Sequence, residues 1–171
     1  MGLDFSLCYK KEDIFLLCNF VKENYTELCN KNLQGISMVV KKQILNTKLS
    51  NPEQMLKLIT ENRWVSVIVR FDKQVIGASI IEPKTGKILF LGANFSGLQE
   101  QVLRALMKKI IDINIFNVNV DKYKIDAIMG YVEIYEKIGF TKTAEEVTIN
   151  GITFTHMEYN VDQSGIENDN L

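Results

Sequence analysis

The stretch Tyr131-Val-Glu-Ile-Tyr-Glu-Lys-Ile-Gly-Phe140 contains the clearest structural signal of this chain. Here and just upstream, apolar residues recur at three- and four-residue intervals, which predicts a helix over about residues 125–138. Gly139 ends that helix, because glycine adopts the left-handed C-terminal conformation without a steric penalty from Cβ. Phe140 opens a segment of alternating apolar and polar residues, as is typical of a strand. The stretch therefore predicts a helix, a glycine stop and a strand in succession.

The composition is that of one globular domain. The chain has 171 residues, of which 46% are hydrophobic and 24% charged, which is enough to bury a core. The formal net charge of −1 argues against a nucleic-acid partner, because binding to a polyanion needs a basic surface. No apolar run reaches the roughly 18 residues that span a bilayer, so no membrane partner is expected. We expect one domain over residues 1–160 and a disordered acidic tail over residues 161–171.

The cysteine and histidine content argues against a metal site. Cys8, Cys18 and Cys29 match no zinc-binding spacing, and an odd count leaves no complete disulfide set. Reduced thiols indicate a cytoplasmic protein. His156 is the one histidine in the sequence, and its place on an alternating segment near the C-terminus favours a structural surface role.

The rest of the chain changes several times between helical and strand periodicity. The pattern predicts a first strand, two or three helices, three antiparallel strands, a helix, a fifth strand, the helix described above and a two-stranded ribbon. This order is typical of the α+β class. The predicted segments are residues 3–9, 12–28, 38–45, 52–61, 65–71, 75–81, 87–91, 96–112, 113–120, 125–138, 141–149 and 153–159.

The hexapeptide Tyr135-Glu-Lys-Ile-Gly-Phe140, followed by Asn150-Gly151 and Met157, resembles the C-terminal signature of the GNAT superfamily of acyl-CoA N-acyltransferases. Together with the order of elements upstream, the resemblance extends over residues 3–159. It implies a three-layer α+β fold with a mostly antiparallel central sheet of about seven strands, flanked by helices. It also implies that this sheet is split between strands four and five, and that acyl-CoA is wedged into the split.

The same resemblance implies a diphosphate site in the turn before the helix at residues 96–112. The family turn reads Q/R-x-x-G-x-G/A, whereas this chain has Asn94-Phe-Ser-Gly-Leu-Gln99, in which only Gly97 matches. Ser96 and Gln99 form a predicted capping box that occupies N–H groups of the helix start, and Glu100 adds a like charge. An ordinary helix start is the alternative interpretation. The predicted contacts to acetyl-CoA are Leu89, Phe90, Leu91, Gly92, Ala93, Asn94, Ser96, Gly97, Leu98 and Gln99.

The resemblance also implies which side chains take part in catalysis. Tyr135 is the predicted acid, since a phenol with a pKa near 10 can protonate the thiolate of CoA as it departs. A second register of the family pattern places Tyr131 in this role, and neither register keeps the asparagine that the family often has upstream. A tyrosine that only packs in the core is the alternative.

The proton of the attacking amine needs a second group. In the family this is often a carboxylate on strand four or five, or a chain of water molecules, but here predicted strand four contains no acid and predicted strand five has none before Asp121. Glu82, at the end of the third strand, is the nearest candidate base. A solvated turn residue is the alternative interpretation of Glu82.

The resemblance implies an N-acetyltransferase that moves an acetyl group from acetyl-CoA to a primary amine of a small molecule or peptide. Direct attack in a ternary complex is the expected route. The alternative is a catalytically impaired module with the same fold that binds acyl-CoA or another protein. The sequence leaves the amine unidentified and the oligomeric state open, with a homodimer as one option.

Overall fold

The computed structural model describes residues 2–114 and 120–161, and within these ranges it contains five α-helices and eight β-strands. The helices are α1 (Lys11–Lys31), α2 (Met38–Leu45), α3 (Pro52–Glu61), α4 (Gln99–Asn114) and α5 (Val132–Ile138), with a short 3₁₀ turn at Lys48–Ser50 before α3. The strands are β1 (Asp4–Leu7), β2 (Val65–Phe71), β3 (Gln74–Glu82), β4 (Lys87–Ala93), β5 (Lys122–Ile128), β6 (Thr141–Lys142), β7 (Val147–Ile149) and β8 (Ile152–Asn160).

The strands form one sheet in the order β1-β2-β3-β4-β5-β8-β6, with β7 paired to β8. Every neighbouring pair is antiparallel except β4 and β5, which run parallel. The predicted α+β class and the mostly antiparallel sheet are therefore confirmed. The described sheet has eight strands instead of about seven, because the β6–β7 arm of the ribbon is broken into two short strands.

The sheet lies between two layers of helices, as the resemblance implies. On one face, the side chains of α4 and α5 pack on β2 to β5 through a core that includes Leu106, Ile110, Tyr135 and Ile138. On the other face, α1 and α3 cover β2 to β4. Burying each such apolar side chain contributes about 1.5–3 kcal/mol, so both helix layers are held firmly against the sheet. None of the helices in the described ranges has the length and apolar character to cross a membrane.

Local sequence signals explain two of the boundaries. The side chain of Asn51 accepts a hydrogen bond from the backbone N–H of Gln54 at 3.1 Å, and Pro52 follows as the first helical residue, so α3 begins where predicted. Asn150 and Gly151 have φ angles of 52° and 81°, the positive values that a two-residue hairpin turn requires. The predicted ribbon across these two residues is confirmed by the pairing of β7 with β8.

The predicted fifth strand is wrong in position. The periodicity predicts it at residues 113–120, but α4 continues to Asn114 and the strand β5 begins at Lys122. Residues 115–119 of the expected strand, and the predicted tail from residue 162 onward, lie outside the described residues.

The predicted helix over residues 125–138 is wrong in its first half, because residues 125–128 belong to β5 and α5 begins only at Val132. In β5, Ile125 and Ala127 are buried while Asp126 is exposed, which is the alternation of a strand. The three-residue interval from Ile125 to Ile128 is compatible with a helix as well. Pairing with β8, a long-range contact, selects the strand.

Candidate functional site

The two parallel strands β4 and β5 separate soon after they meet. Among the described residues they pair only at Lys87 and Lys124, where Lys124 N–H also donates to Gly86 O at 3.0 Å. Beyond this point the strands enclose a cavity of about 250 Å³, which we call the central gap. It is lined by α1 as well as by the strands, through Asn24, Tyr25, Leu28, Lys87, Ile88, Leu89, Phe90, Leu91, Gly92, Ile125, Asp126, Ile128, Tyr131, Tyr135 and Phe154.

The backbone of β4 presents hydrogen-bonding groups to the central gap. All residues from Phe90 to Ala93 lie opposite β3, and Asn94 N–H donates to Ile76 O at 2.8 Å, so the backbone groups of Gly92 and Phe90, two and four residues before Asn94, point toward β3. Because backbone groups alternate in direction along a strand, those of Leu91 and Ala93 point away from β3. The carbonyl oxygen of Leu91 accepts a hydrogen bond from Tyr135, and that of Ala93 accepts one from Gln99, both on the side away from β3. Because the N–H and C=O groups of a strand residue point to the same side, the N–H groups of these two residues also point to the side of the gap.

Tyr135 joins α5 to β4 across the gap. Its hydroxyl donates to Leu91 O at 2.8 Å, and the side chain is only 6% exposed. Burial raises the pKa of this phenol well above its ordinary value, and the nearby phenols of Tyr131 and Tyr25 add to the effect. Tyr135 is therefore a neutral proton donor at physiological pH.

Two further tyrosines border the same space. The ring centroid of Tyr131 lies 6.2 Å from that of Tyr135, and within the described chain its hydroxyl has no hydrogen-bond partner. Tyr25, on α1, packs edge-on against Phe90 with ring centroids 5.7 Å apart. Burial, followed by the neighbouring Tyr131, raises the pKa of Tyr25 to about 12. Three neutral phenols therefore surround the gap.

A second cavity, the turn pocket, opens at the end of β4. It shares Asn24 and Tyr131 with the central gap. Leu98, which is 44% exposed, does not line this pocket. The pocket is lined by Asn24, Glu27, Lys31, Asn32, Ala93, Asn94, Phe95, Ser96, Gly97, Gln99, Gly130, Tyr131 and Ile134.

The predicted capping box at this turn is wrong. Helix α4 begins at Gln99, whose side-chain Nε2 donates to Ala93 O at 3.1 Å instead of capping the helix. Within the part of the chain that the structure describes, Ser96 also makes no side-chain bond to an N–H of α4. The N–H groups of the first helical turn have no intrahelical acceptor and remain available to an anion. Gly97 has a φ of 77°, a conformation that favours glycine, so the turn keeps the glycine where the backbone needs it.

Charged side chains near the turn pocket are mostly paired with each other. Lys31 contacts Glu27, and this hydrogen bond raises the pKa of the lysine. Arg104 donates to Glu100 at 2.8 Å and also to the carbonyl of Lys137. The pocket therefore has a weak net field, and the backbone N–H groups are its main anion-binding feature.

The third cavity, the ribbon pocket, lies at the other end of the central gap and shares Lys87, Ile125 and Asp126 with it. The structure places Glu82 in the ribbon pocket and not in the central gap. In the ribbon pocket its carboxylate accepts a hydrogen bond from Thr85 Oγ1 at 2.9 Å. The expectation that strand five contains no acid is wrong, because Asp126 belongs to β5 and lines both cavities.

Sequence reasoning missed Asn24, Tyr25 and Asp126. The Nδ2 group of Asn24 donates to Phe20 O at 3.0 Å, which leaves Oδ1 directed toward β4. A methyl group built on Gly92 would lie 3.2 Å from this Oδ1. Only the packing of α1 over β4 brings Asn24 and Tyr25 to the gap, and a single sequence contains no local signal for that contact. Asp126 was missed because its segment was assigned to a helix.

The chain matches the family model described as an acetyltransferase (GNAT) domain over residues 28–161. No curated protein sequence gives a significant match. Among solved structures, the PaiA N-acetyltransferase of Thermoplasma acidophilum in complex with coenzyme A is 15% identical, with a TM-score of 0.72 and coverage of 94% of this chain and 100% of that one.

Two further structures share the fold. A chimera of the spermidine N-acetyltransferase SpeG of Vibrio cholerae and hSSAT is 20% identical, with a TM-score of 0.61 and coverage of 94% and 96% of the two chains. The aminoglycoside 6'-N-acetyltransferase of Enterococcus faecium is 10% identical, with a TM-score of 0.64 and coverage of 94% and 97%. At these identities the likeness shows the fold alone.

Proposed function

Because the chain belongs to the GNAT acetyltransferases, we propose that it transfers an acetyl group from acetyl-CoA directly to a primary amine of a small molecule or peptide. One observation above all supports this: β4 and β5 part beyond Lys87 and Lys124, and the backbone N–H of Leu91 and the phenol of Tyr135 both border the gap between them. A thioester needs both groups, one for its carbonyl oxygen and one for its sulfur.

The order of the cavities supports one course for acyl-CoA. The diphosphate binds the N–H groups at the start of α4, and the pantetheine arm runs from the turn pocket into the central gap. Asn24 lies where these cavities join, and its Oδ1 accepts an N–H of pantetheine. Asn24 thereby substitutes for the family asparagine that this sequence lacks.

The thioester reacts beside β4. The N–H of Leu91 donates to the carbonyl oxygen, and this bond strengthens as negative charge develops in the tetrahedral intermediate. Such a contact depends on backbone and not on side chains, so it tolerates the divergent turn sequence. Tyr135 protonates the sulfur after its hydroxyl hydrogen turns away from Leu91 O. Tyr131, whose hydroxyl is not engaged by a described residue, is the second candidate for the acid.

A second candidate function is an acyl-CoA-binding module without turnover. It is favoured by the hydrogen bond between Tyr135 and Leu91, which occupies the proposed acid. It is also favoured by the turn sequence, in which only Gly97 agrees with the family pattern.

A thermal-shift titration with acetyl-CoA tests the binding step. At about 100 times its dissociation constant, a ligand adds about 2.7 kcal/mol to the free energy of unfolding. For a chain of this size we expect the melting temperature to rise by about 5–11 °C, at about 2–4 °C per kcal/mol. ADP, which lacks pantetheine, is the control. No rise with either acetyl-CoA or CoA at millimolar concentration contradicts both candidate functions.

Release of CoA in the presence of amines separates the two candidates. The panel contains a polyamine, an aminoglycoside and a lysine-containing peptide, with mass spectrometry to identify the acetylated product. Turnover of any of them supports the acetyltransferase. A protein that binds acetyl-CoA but turns over none of the panel supports the binding module instead.

A further inference from the structure

Asp126 of β5 and His156 of β8 stand directly opposite each other in the antiparallel strand pair. Their side chains are a little under half exposed, at 45% and 47%, on the face of β5 opposite to buried Ile125 and Ala127. His156 Nδ1 is in hydrogen-bond contact with Asp126 Oδ1. The fold therefore brings the one histidine of the sequence to a carboxylate 30 residues away.

This contact determines which ring nitrogen of a neutral imidazole bears the proton. A carboxylate can only accept a hydrogen bond, so the contact with Asp126 requires a proton on Nδ1. The lone pair of His156 is then on Nε2. A nitrogen lone pair on a ring that a second group holds in place is what general-base catalysis requires.

The Asp126–His156 pair lies at the end of the central gap opposite to the turn pocket, where the acceptor amine can enter. Acyl-CoA, by the proposal above, occupies the turn pocket and the central gap. Asp126 lines the gap and the ribbon pocket, and His156 lines the ribbon pocket. The amine can therefore approach the thioester from the ribbon pocket while CoA is bound, as direct transfer demands.

Other charged groups face the pair from β3, β4, β5 and β8. They are Glu82, Lys87, Lys124 and Glu158. Glu158 is paired with Lys122 at 3.4 Å, which offsets its charge, whereas Glu82 accepts a hydrogen bond from the neutral hydroxyl of Thr85 and is offset by the lysines of the pocket. The charges of opposite sign nearly balance, and an ammonium substrate can enter without strong repulsion.

We propose that His156, positioned by Asp126, accepts the proton of the acceptor ammonium in the ribbon pocket. This inference rests on the proposed function and adds the group that prepares the nucleophile. Neither residue was expected to take part from the sequence.

The proton balance of the step is complete. The ammonium gives one proton to His156 Nε2, and the free amine attacks the thioester carbonyl carbon. The C–N bond forms and the C–S bond breaks, with the electron pair of the latter leaving on sulfur. The thiolate takes a proton from a phenol, and the second proton of the nitrogen restores that phenol. His156 releases the first proton to solvent.

Two nucleophiles of different basicity test the proposal. A primary alkylamine resembles a lysine side chain, with a pKa of about 10.4, and is protonated at neutral pH. Hydroxylamine is a far weaker base and is largely unprotonated there. We expect His156→Gln to lower kcat/KM for the alkylamine, or for the best amine of the panel, by about 100-fold or more. With hydroxylamine, we expect the loss to be at least several-fold smaller.

Three further variants complete the test. Asp126→Asn should lower amine turnover in the same direction, whereas Asp112→Asn, an exposed carboxamide substitution on α4, should not. Added imidazole should restore part of the amine turnover of His156→Ala, which a structural role of the ring would not allow. The rise in melting temperature with acetyl-CoA should stay within about 1–2 °C of wild type in both His156 variants and in Asp112→Asn, because neither residue lines the central gap or the turn pocket. This interval is about the shift expected from half a kcal/mol.

The outcomes distinguish this proposal from the proposed function. If wild-type protein turns over neither the amines nor hydroxylamine, the acetyltransferase function fails and His156 loses its role with it. If wild-type protein is active and His156→Gln loses equal activity with both nucleophiles, or none, the proton-acceptor role is wrong while the function stands.

Discussion

The hydroxyl of Tyr135 donates to the carbonyl oxygen of Leu91 at 2.8 Å, across the only parallel strand junction of the described sheet. This bond connects a helix that follows β5 to the strand on the other side of the gap. It lies in the part of β4 whose backbone groups on the β5 side have no strand partner. In the free protein this hydrogen bond stabilises the fold. When acyl-CoA is bound, by our proposal, the same hydroxyl transfers its proton to the sulfur.

Replacing Tyr135 with phenylalanine should affect both properties. The carbonyl of Leu91 loses its buried donor, which costs about 1–3 kcal/mol. At about 2–4 °C per kcal/mol, this lowers the melting temperature by about 2–12 °C. If Tyr135 is the acid, kcat for the best amine also falls, by about 100-fold or more. Thermal denaturation and steady-state kinetics check the two effects separately.

Tyr131→Phe is the matched variant, since its hydroxyl has no hydrogen-bond partner in the described ranges. We expect a change in melting temperature of less than about 2 °C, because surface-like changes usually stay within about 0.5 kcal/mol. A loss of kcat in Tyr131→Phe together with an active Tyr135→Phe would transfer the role of acid to Tyr131.

The buried phenols predict loss of stability at alkaline pH. In the unfolded chain, tyrosine ionises near its ordinary pKa of 10.0, whereas burial raises the pKa of Tyr25 to about 12. The unfolded state therefore releases protons that the folded state retains, and the free energy of unfolding falls as the pH rises from about 10 to about 12. Tyr25 contributes about 2–3 kcal/mol to this fall, at about 1.36 kcal/mol per pKa unit. The buried thiols Cys8 and Cys18, whose pKa values are raised to about 12 and about 11 from 9.0, start the decline near pH 9.

Denaturant unfolding of wild type and Tyr25→Phe between about pH 9 and pH 12 measures this contribution. Tyr25→Phe should lose less stability over the interval than wild type, while Tyr9→Phe, at a residue 66% exposed, should follow the wild-type curve. Parallel curves for wild type and Tyr25→Phe would show that the phenol of Tyr25 is solvated in the folded state.

The parts of the fold with local signals were predictable from sequence. Asn51 and Pro52 define the start of α3, and Asn150-Gly151 defines the hairpin, because each acts within a few residues. The position of β5 was not predictable, since the spacing of Ile125 and Ile128 suits a helix until β8 is placed beside it.

The same distinction between local signals and long-range contacts applies to the candidate site. The segment from Leu89 to Gly92 and the two tyrosines of the C-terminal signature were identified from the family resemblance, and the structure places them around one gap. Asn24 reaches that gap only through helix packing, and the contact of Asp126 with His156 exists only through strand pairing. Single-sequence periodicity contains neither long-range contact.

Removing the charge of Glu100 should strengthen CoA binding. This carboxylate is in the first turn of α4, beside the N–H groups proposed to hold the diphosphate. It also accepts a hydrogen bond from Arg104 at 2.8 Å. In Glu100→Gln the repulsion between the carboxylate and the diphosphate is lost, while Arg104 keeps its hydrogen bond to the carbonyl of Lys137. We expect the dissociation constant of CoA to fall by about 2- to 5-fold, equivalent to about 0.5–1 kcal/mol for exposed charges.

Calorimetric titrations at low and high salt measure this effect. The gain should shrink as ionic strength rises from about 0.01 M to about 1 M, since the screening length falls from about 30 Å to about 3 Å. Glu61→Gln, an exposed glutamate at the end of α3, should bind CoA as wild type does. An equal gain in both variants would indicate a general charge effect, and no gain in either would place the diphosphate elsewhere.

Gly92→Ala tests whether the central gap holds the pantetheine arm. A methyl group at this residue would lie 2.8 Å from Cζ of Phe90 and 3.2 Å from Oδ1 of Asn24, so the ring of Phe90 must shift. That ring packs edge-on between Phe20 and Tyr25, with centroid distances of 6.3 and 5.7 Å, and has little room to move except into the gap. Overpacking of this kind costs about 1–3 kcal/mol of stability.

We expect Gly92→Ala to remain folded and to bind acetyl-CoA at least about 10-fold more weakly, a loss of about 1.4 kcal/mol. The control is Gly35→Ala, since a methyl group built on this exposed glycine has no atom within 4 Å and its backbone needs no positive φ. Circular dichroism establishes that both variants fold, and calorimetry gives the two affinities. A Gly92→Ala protein that binds acetyl-CoA as tightly as Gly35→Ala would mean that the thioester arm does not pass between β4 and β5, and the roles assigned to Leu91 and Tyr135 would be lost with it.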